Sequence, residues 1–309
     1  MKKILAIQSN ALNEINIETD TTLLLALEAQ KRNYQIIWYE TKDLNLINSK
    51  VLVEGKKVIF FDKSKKFYKV IKTIKFDLAK AKVIFIRQNP PFNMDYINST
   101  HFLDHIKTKK IINNPTSIRN VSEKFYSTKF LRYMPETIFT KNIKQISSFL
   151  KKNKKIVIKP IHGYAGKNII YINKTLNQGI LKKYIKKFDH VMVQKYLNKV
   201  QEGDKRVFII NGKVKGAIRR LPRKGSILSN ISQGGIALKT KLNLRELKIS
   251  KIVANSLKKN GIFFAGIDLV GGYLIGDINV TSPTGLPQYK NLTGKNLAID
   301  FWNELEKLK

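Results

Sequence analysis

Residues 261–285 place oxygen-bearing side chains on two apolar runs that a short glycine turn separates. The segment reads GIFFAGIDLVGGYLIGDINVTSPTG, with Asp268 on the first run and both Asp277 and Asn279 on the second. Because side chains alternate between the two faces of a strand, Asp277 and Asn279 point to the same side. A hairpin about Gly271-Gly272 would bring Asp268 beside them. The segment therefore predicts three oxygen ligands on two adjacent strands.

Three hard oxygen ligands of this kind suit Mg²⁺ held against the phosphates of a nucleotide. The alternative is a hairpin whose acidic residues merely face water. Asp and Asn are poor strand residues, and here two of them are flanked by isoleucine and valine. The pattern therefore favours a metal site.

Length and composition exclude several classes of protein. The chain has 309 residues, 43% of them hydrophobic, which is enough for one large domain or two ordinary ones. No run of 18 apolar residues occurs, so we expect no membrane-spanning helix and no membrane partner. The chain has no cysteine, which rules out disulfides and cysteine catalysis and fits a reducing compartment. We expect a cytoplasmic protein.

The net charge of +36 raises the question of nucleic-acid binding. Lysine supplies most of the 58 basic residues, and the lysines are spread along the chain. Nucleic-acid readers usually combine arginines with interleaved aromatic residues, and no such motif is present. We therefore predict no specific nucleic-acid partner, with composition bias as the source of the charge. The charge should still attract small anions.

Residues 1–121 read as alternating strands and helices, which predicts a parallel sheet covered on both faces. Strands are expected at residues 4–7, 35–39, 83–86 and 110–112, and Asp20 should cap a helix that runs to Lys31. Residues 51–61 are expected to form a hairpin about Glu54-Gly55, and residues 63–75 a charged helix or loop.

The order of predicted helices and strands changes from about residue 122. Helices are predicted near residues 122–131, 143–152, 176–188, 244–259 and 292–308. Strands are predicted at residues 156–159, 168–171, 191–195, 205–210, 214–220, 262–269 and 273–280, with a hairpin turn at Asn211-Gly212. Residues 221–235 are expected to be a long polar loop.

Arg87 directly follows the strand predicted at residues 83–86. Ligands of parallel sheets bind beyond the carboxyl ends of the strands, and Pro90-Pro91 stiffens the loop that holds Arg87. Arg87 could therefore bind a substrate carboxylate, or it could simply be solvated.

Several further patterns are compatible with nucleotide binding but are individually weak. Lys159 ends a strand, and Gly163 and Gly166 follow it in a loop that could approach phosphate or be an ordinary turn. The strand end at Gln194, Tyr196 and Leu197 could hold an adenine ring or be structural.

Charged residues elsewhere in the chain could also serve structure rather than ligand binding. Lys124 is on a predicted helix, where lysine is normally solvated. Arg206 and Arg220 are on predicted strands, where a buried arginine needs an anionic partner. We expect the histidines to be surface residues, and we find no nucleophile or proton relay; the histidines are His101, His105, His162 and His190.

The order of these motifs is distinctive. They run Arg87-Gln-Asn-Pro-Pro-Phe, Asn114-Pro115, Glu123-Lys124, Ile158-Lys159-Pro160, Gln194-Lys-Tyr-Leu, Gly203-Asp-Lys-Arg-Val and finally Asp268 with Asp277-Ile-Asn-Val-Thr-Ser-Pro-Thr. Over nearly its whole length the chain resembles the bacterial glutathione synthetases of the ATP-grasp superfamily.

The resemblance implies a fold and a reaction. The fold would combine α/β and α+β architecture: an N-terminal parallel-sheet domain at 1–121, then an ATP-grasp domain at 122–309, with a lid subdomain at about 122–197 and a catalytic part at about 198–309. ATP would phosphorylate the carboxylate of γ-glutamylcysteine, and glycine would attack the acyl phosphate. Such a reaction works by positioning and charge neutralisation, which explains the missing nucleophile. A homo-oligomer is also implied.

The resemblance also implies roles for individual residues. Mg²⁺, or Mn²⁺ in its place, would be held by Asp268, Asp277 and Asn279. Arg206 would neutralise the acyl phosphate, Arg87 and Arg220 would bind substrate, and residues 221–235 would be a lid that excludes water. The ATP contacts would come from Lys124, Lys159, Gly163, Gly166, Gln194, Tyr196 and Leu197.

Some positions depart from the family's pattern. Asp277 stands where the family usually has Glu, and Ala165 replaces a glycine. His162 replaces an acidic residue, residues 228–230 of the lid differ, and residues 285–287 replace Cys and a basic residue. Two alternatives therefore stay open: an ATP-grasp ligase with another acid or amine, and a nucleotide-binding protein without ligase activity.

Overall fold

The computed structural model describes residues 3–62, 66–107, 110–222 and 235–308. Its strands are β1 (Lys3–Gln8), β2 (Tyr34–Tyr39), β3 (Leu44–Ile47), β4 (Lys50–Phe60), β5 (Tyr68–Asp77), β6 (Val83–Ile86), β7 (Ile111–Ile112), β8 (Thr137–Thr140), β9 (Lys155–Pro160), β10 (Ile170–Asn173), β11 (Val191–Lys195), β12 (Asp204–Ile210), β13 (Lys213–Leu221), β14 (Ile236–Lys239), β15 (Phe264–Val270) and β16 (Tyr273–Asn279). Its α-helices are α1 (Thr21–Lys31), α2 (Met94–Asp104), α3 (Pro115–Asn120), α4 (Ile143–Asn153), α5 (Gln178–Phe188), α6 (Leu244–Lys259), α7 (Leu286–Thr293) and α8 (Leu297–Glu306).

The N-terminal sheet has the predicted parallel core. Strands β2, β1, β6 and β7 are adjacent in that order and parallel. The Asp20 carboxylate accepts a hydrogen bond from the Leu23 amide at 2.8 Å and so caps α1, as predicted. Arg87 directly follows β6, at the carboxyl edge of the parallel strands.

Two predictions for the same sheet are wrong. Residues 51–61 do not form a hairpin, because β4 runs unbroken through Gly55, where the Ile37 side chain of β2 occupies the space of a Cβ atom. Residues 68–75, expected to be a charged helix or loop, belong to the antiparallel strand β5, which pairs with β4. Pairing with a long neighbour overrides a weak local pattern. Residues 63–65 lie outside the described residues.

Two antiparallel sheets follow. The first has the order β10-β9-β11-β8, and α4 and α5 supply buried side chains such as Ile146 and Leu181 to the core on it. The second has the order β14-β13-β12-β15-β16. Its β12–β13 hairpin turns at Asn211-Gly212 as predicted, with positive φ at both residues.

Some boundaries differ from the sequence-based expectations. The segment predicted as a helix at residues 122–131 is a 3₁₀ helix, Phe125–Tyr133. The final helix is divided into α7 and α8, because Gly294 is left-handed at φ 75° and the Asn296 side chain caps α8. Strand β10 starts two residues later than expected, after Asn168 with φ 60°.

The N-terminal and C-terminal sheets share a core. Phe85 of β6 packs edge-on against Phe301 of α8, which also contacts Phe264 of β15. Asn113, after β7, donates from Nδ2 to the carbonyls of Phe264 (2.8 Å) and Val280 (2.7 Å). Its Oδ1 accepts from the Phe263 and Phe264 amides. The β15–β16 pair is thereby fixed to the N-terminal sheet.

Within the described parts of the chain, no helix is long and apolar enough to cross a membrane.

Candidate functional site

A cavity of about 670 Å³ lies between the two antiparallel sheets and the loops that follow β1 and β6. This volume is typical of small-molecule sites. The cavity is lined by most of the predicted site residues, namely Lys159, Gly166, Gln194, Tyr196, Leu197, Arg206, Arg220, Asp268, Asp277 and Asn279. Lys124, Gly163 and Arg87 are not among the lining residues, and Lys124 and Arg87 are almost fully buried.

The floor of the cavity is the β15–β16 pair. Asp277 and Asn279 are on the half-buried face of β16 and Asp268 is on β15, which confirms the predicted hairpin and the shared face. The strand register shifts between Ile267 and Leu269. Within this bulge Gly276 has φ 85°, and a Cβ atom there would collide with Met192. The bulge, which the sequence pattern did not predict, determines where the Asp277 carboxylate lies.

Two buried lysines from different elements meet at Asp277. Lys159 Nζ lies 3.2 Å from Asp277 Oδ2, and Lys124 Nζ lies 3.3 Å from Asp277 Oδ1. Burial raises the pKa of Asp277, but the two lysines outweigh it and hold that pKa well below the ordinary value. Lys124 is 3% exposed, so it is not the solvated lysine that its helix position suggested. Burial lowers its pKa, and the neighbouring carboxylates more than compensate.

Two arginines and two aspartates form a buried network beside this floor. Arg206 Nη2 donates to Asp268 Oδ2 at 3.0 Å, and Arg220 Nη2 lies 2.8 Å from the same oxygen. Arg220 also makes a two-fold contact with Asp204, through Nε at 2.7 Å and Nη2 at 2.8 Å. The expectation that these arginines need anionic partners is confirmed.

The network has unequal effects on its two acids. Burial raises the pKa of Asp268, but Arg206 and Arg220 together hold it below the ordinary value. Burial dominates at Asp204, whose pKa is raised although Arg220 lowers it. Asp204 was not among the predicted site residues. Its position two residues before Arg206 on the same strand was the signal that could have identified it.

The glycine loop after β9 borders the cavity. The Gly163 carbonyl accepts a hydrogen bond from Lys124 Nζ at 2.7 Å, which ties the start of the loop to the Asp277 cluster. Ala165 and Gly166 adopt left-handed conformations, with φ 52° and 74°. Ala165 therefore occupies a conformation that glycine would adopt more easily.

One end of the cavity is apolar and aromatic. Tyr196 and Leu197 line it, and the Tyr196 ring packs against Tyr171 at 4.6 Å between centroids. The Gln194 side chain turns away and donates to Thr137 Oγ1 at 2.9 Å. This hydrogen bond occupies the amide nitrogen of Gln194, and the residue still lines the cavity at this strand end.

Arg87 lies near the opposite end, almost fully buried at 5% exposure. Its Nε donates to Thr22 at 3.1 Å and its Nη2 to the Pro283 carbonyl at 2.9 Å, while Nη1 has no hydrogen-bond partner among the described residues. Burial lowers the pKa of Arg87 to about 10. Gly285, two residues after Pro283, has φ 110°, and a Cβ atom at this position would lie 3.1 Å from the Phe208 ring.

Glu123 is a second lining residue that the sequence-based site did not include. Burial raises its pKa, and Lys124 beside it lowers it less. Its position directly before Lys124, in the motif Glu123-Lys124, was the signal that could have identified it as a site residue. The histidines, in contrast, are all exposed, as expected.

The donor set at the floor fits a magnesium ion that a nucleotide completes. No cluster of three or more His, Cys, Asp or Glu side chains among the described residues could hold a metal. Asp268, Asp277 and Asn279 provide two carboxylates with lowered pKa and one amide oxygen. Mg²⁺ commonly takes one or two carboxylates and relies on phosphate oxygens and water for the rest.

The family comparisons cover almost the whole chain. Residues 3–119 match the N-terminal domain of prokaryotic glutathione synthetase, and residues 123–294 match the ATP-grasp domain of the same family. A glutathione synthetase of Mesorhizobium japonicum is 35% identical over 99% of both chains. One from Buchnera aphidicola subsp. Baizongia pistaciae is 36% identical and covers 98% of this chain and 95% of its own.

Solved structures agree on the fold. The D-cycloserine synthetase DcsG superposes with a TM-score of 0.69 at 14% identity, over 99% of this chain and 100% of its own. A RiPP-associated ATP-grasp ligase of Chryseobacterium gregarium superposes with a TM-score of 0.64 at 15% identity, over 100% of this chain and 98% of its own. The expected ATP-grasp architecture is thereby confirmed. With family matches to both halves and relatives of similar length, this chain belongs to the prokaryotic glutathione synthetase family.

Proposed function

We propose that this chain is an ATP-dependent ligase that joins the carboxylate of γ-glutamylcysteine to glycine, releasing glutathione, ADP and phosphate. The observation that carries the proposal is the cavity itself. An apolar end at Tyr196 and a set of buried cations and carboxylates about Asp277 share one space of about 670 Å³. We also propose that residues 1–121 and 122–309 act as substrate-binding and ATP-grasp domains.

The nucleotide would lie with its base at Tyr196 and Leu197 and its phosphates toward Lys159 and Lys124. Both lysines are buried and now neutralise Asp277. Anionic phosphates would compete for the same ammonium groups, which would free carboxylate oxygens for the metal. Bound Mg²⁺, held by Asp268, Asp277 and Asn279, would neutralise charge on the phosphates. The loop with Gly163 and Gly166 would cover them.

Arg206 would stabilise the acyl phosphate and the tetrahedral species that follows it. Its guanidinium is oriented by Asp268 and cannot turn away without breaking two hydrogen bonds. A donor fixed in this way needs little reorganisation when negative charge develops in front of it. Arg220 would act on the same side of the cavity and bind substrate.

The acid substrate would lie at the far end, near Arg87. The assignment is supported by Nη1 of this buried arginine, which has no hydrogen-bond partner in the described part of the chain. A buried guanidinium donor without an acceptor is costly. A substrate carboxylate would satisfy it. Residues 223–234, which include most of the predicted lid, lie outside the described residues. The lid, a cytoplasmic location and a homo-oligomer remain predictions.

The test is an assay of the purified protein with ATP, Mg²⁺, γ-glutamylcysteine and glycine. We expect glutathione and ADP in equal amounts, with no ADP release when either amino-acid substrate is omitted. ADP release only with other acids or amines would refute the choice of substrates.

Asp277→Ala tests the metal and phosphate site. The substitution removes the carboxylate that two buried lysines share, so we expect turnover to fall by about 100-fold or more, since this carboxylate would hold the metal that neutralises the phosphates. Asp189→Asn is the control, because Asp189 is exposed and its ion pairs among the described residues, with Lys141 and His190, are at the surface. Turnover of Asp277→Ala close to that of the parent would show the metal assignment to be wrong.

A ligase with another acid or amine is the second candidate. Gly285 favours it, because Phe208 lies 3.1 Å from the place of a Cβ atom and φ is 110°. The cysteine expected at this place in the family would be strained here. A substrate survey in the same assay, with glycine replaced by other amino acids, distinguishes the two candidates.

A further inference from the structure

Glu123 differs from the other carboxylates of the cavity. It makes no hydrogen bond and no ion pair with any described residue, although its side chain lines the cavity. The other lining carboxylates are each held by at least one cation: Asp204 by Arg220, Asp268 by Arg206 and Arg220, and Asp277 by Lys124 and Lys159. In the described part of the chain, Glu123 is therefore the cavity carboxylate that is open to a cationic ligand.

Glu123 shares the cavity with Asp277, Arg206 and Asp268 and lies within electrostatic range of them. The charges that act on it come from Lys124 next to it, Asp277 on β16, Arg206 on β12 and Asp268 on β15. These are the residues assigned above to the phosphates, the metal and the acyl phosphate. The burial that raises the pKa of Glu123 also strengthens its attraction for a cation that enters the cavity.

An amine substrate presents such a cation. Glycine carries an ammonium group at neutral pH, which cannot attack a carbonyl until it has lost a proton. The ammonium also needs an anionic partner when it leaves water. The amine must approach the acyl phosphate at Arg206, and among the described residues that line this cavity Glu123 is the acid without an ion-pair partner.

We propose that Glu123 binds the ammonium group of the amine substrate and accepts its first proton. This inference rests on the proposed ligase function and adds a catalytic residue to it. Glu123 takes one proton, and the freed nitrogen lone pair forms the new C–N bond at the acyl carbon. The tetrahedral species then collapses with cleavage of the bond between the acyl carbon and the phosphate oxygen. The second nitrogen proton leaves with the phosphate, and Glu123 returns its proton to solvent when the products depart.

Glu123→Gln tests the proposal with two nucleophiles that can attack the acyl phosphate, glycine and hydroxylamine. We expect kcat/KM for glycine to fall by about 100-fold or more, the usual contribution of a general base. Hydroxylamine is largely uncharged at neutral pH and intercepts acyl phosphates as hydroxamates. Because it needs neither an ammonium partner nor a base, hydroxamate formation by the variant should stay close to that of the parent. Glu136→Gln is the matched control, since Glu136 pairs with Lys152 at the surface.

The pH profile provides a second readout. Only ionised Glu123 can accept a proton, so the parent rate with glycine should rise with pH through the pKa of Glu123 and then level off. The variant should lack this step and gain rate only as free glycine amine becomes available at high pH. If the variant loses the same fraction of its rate with glycine and with hydroxylamine, Glu123 serves structure or metal binding, and the proposal is wrong. An unchanged rate with glycine would also overturn it. If the parent itself makes no glutathione, it is the proposed function that fails.

Discussion

At the scale of single residues, the arrangement of the cavity depends on how each charge is paired. Asp268 accepts from both Arg206 and Arg220, and Asp204 shares Arg220. Neither arginine could remain buried at 6% and 4% exposure without these carboxylates. The pairing also keeps both guanidinium groups in fixed orientations at the cavity wall. Asp204 is thus a supporting residue for the two arginines.

Asp204→Asn should show how much Asp204 contributes to the stability of the protein and to binding of the acid substrate. The change leaves Arg220 with one carboxylate that it must share with Arg206, and loss of a buried ion-pair partner typically costs about 3–5 kcal/mol. We expect a lower urea midpoint with an unchanged slope, together with a higher KM for the acid substrate. Asp189→Asn should leave both values unchanged. If Asp204→Asn is as stable as the parent, then the network contributes little to stability.

At the scale of elements, the β12–β13 hairpin is pinned to the last helix, α8. Glu304 of α8 is nearly buried and accepts hydrogen bonds from Lys213 Nζ at 3.1 Å and from Asn211 Nδ2 at 3.1 Å. Lys215 adds a contact at 3.6 Å. The hairpin carries Arg206 and Arg220, so these contacts of Glu304 support the strands that bear the arginines of the site.

Acid should weaken this connection in a defined pH window. Burial raises the pKa of Glu304, but its lysine and asparagine partners outweigh that and lower it from 4.5 to about 2. A lowered folded-state pKa means that the ionised group stabilises the fold above pH 4.5 and that this contribution is lost as pH falls towards 2.

Urea titrations of the parent and of Glu304→Gln between pH 7 and pH 3 measure this effect. The variant should be the less stable protein at pH 7, and the difference should shrink as the pH falls. A constant difference across the range would contradict the assignment. Glu136→Gln is again a suitable control, since Glu136 is at the surface.

Elements were predictable where the local pattern is strong. The apolar runs of β1, β6 and β11 and the Asp20 cap gave strands and a helix at the expected positions. The edge strand β5 was not predictable, because its mostly exposed residues carry no clear alternation and its conformation depends on pairing with β4. Gly55 suggested a turn, but its role is to let the Ile37 side chain approach the backbone.

At the scale of the whole molecule, Asn113 connects the N-terminal sheet with the strands that carry the cavity floor. One buried side chain satisfies two carbonyls and two amides of the segments around β15 and β16. The aromatic cluster of Phe85, Phe264 and Phe301 supports the same junction. The cavity can therefore combine groups from both halves of the chain.

Asn113→Ala should loosen this junction. The change leaves buried backbone groups without partners, each costing about 1–3 kcal/mol. We expect a lower melting temperature and faster proteolysis between the two family-matched regions, residues 3–119 and 123–294. Asn45→Ala is the control, because the exposed Asn45 side chain at the start of β3 donates to the nearby Asp43 carbonyl and not across the junction. If Asn113→Ala is cleaved at the parent's rate, then the aromatic cluster is sufficient to hold the junction between the two sheets together.

The sequence by itself determined the family, through motifs whose order survives any change of packing, and it determined that Asp277 and Asn279 share a face, since strand alternation is a local property. Tertiary structure decided which charges meet. Lys159 is 118 positions from Asp277, and only the packing of two sheets brings the two together. Among the described residues, the same packing leaves Arg87 Nη1 without a hydrogen-bond partner and Glu123 without an ion-pair partner. Local patterns cannot encode such contacts, because they depend on how three separate sheets are placed against one another.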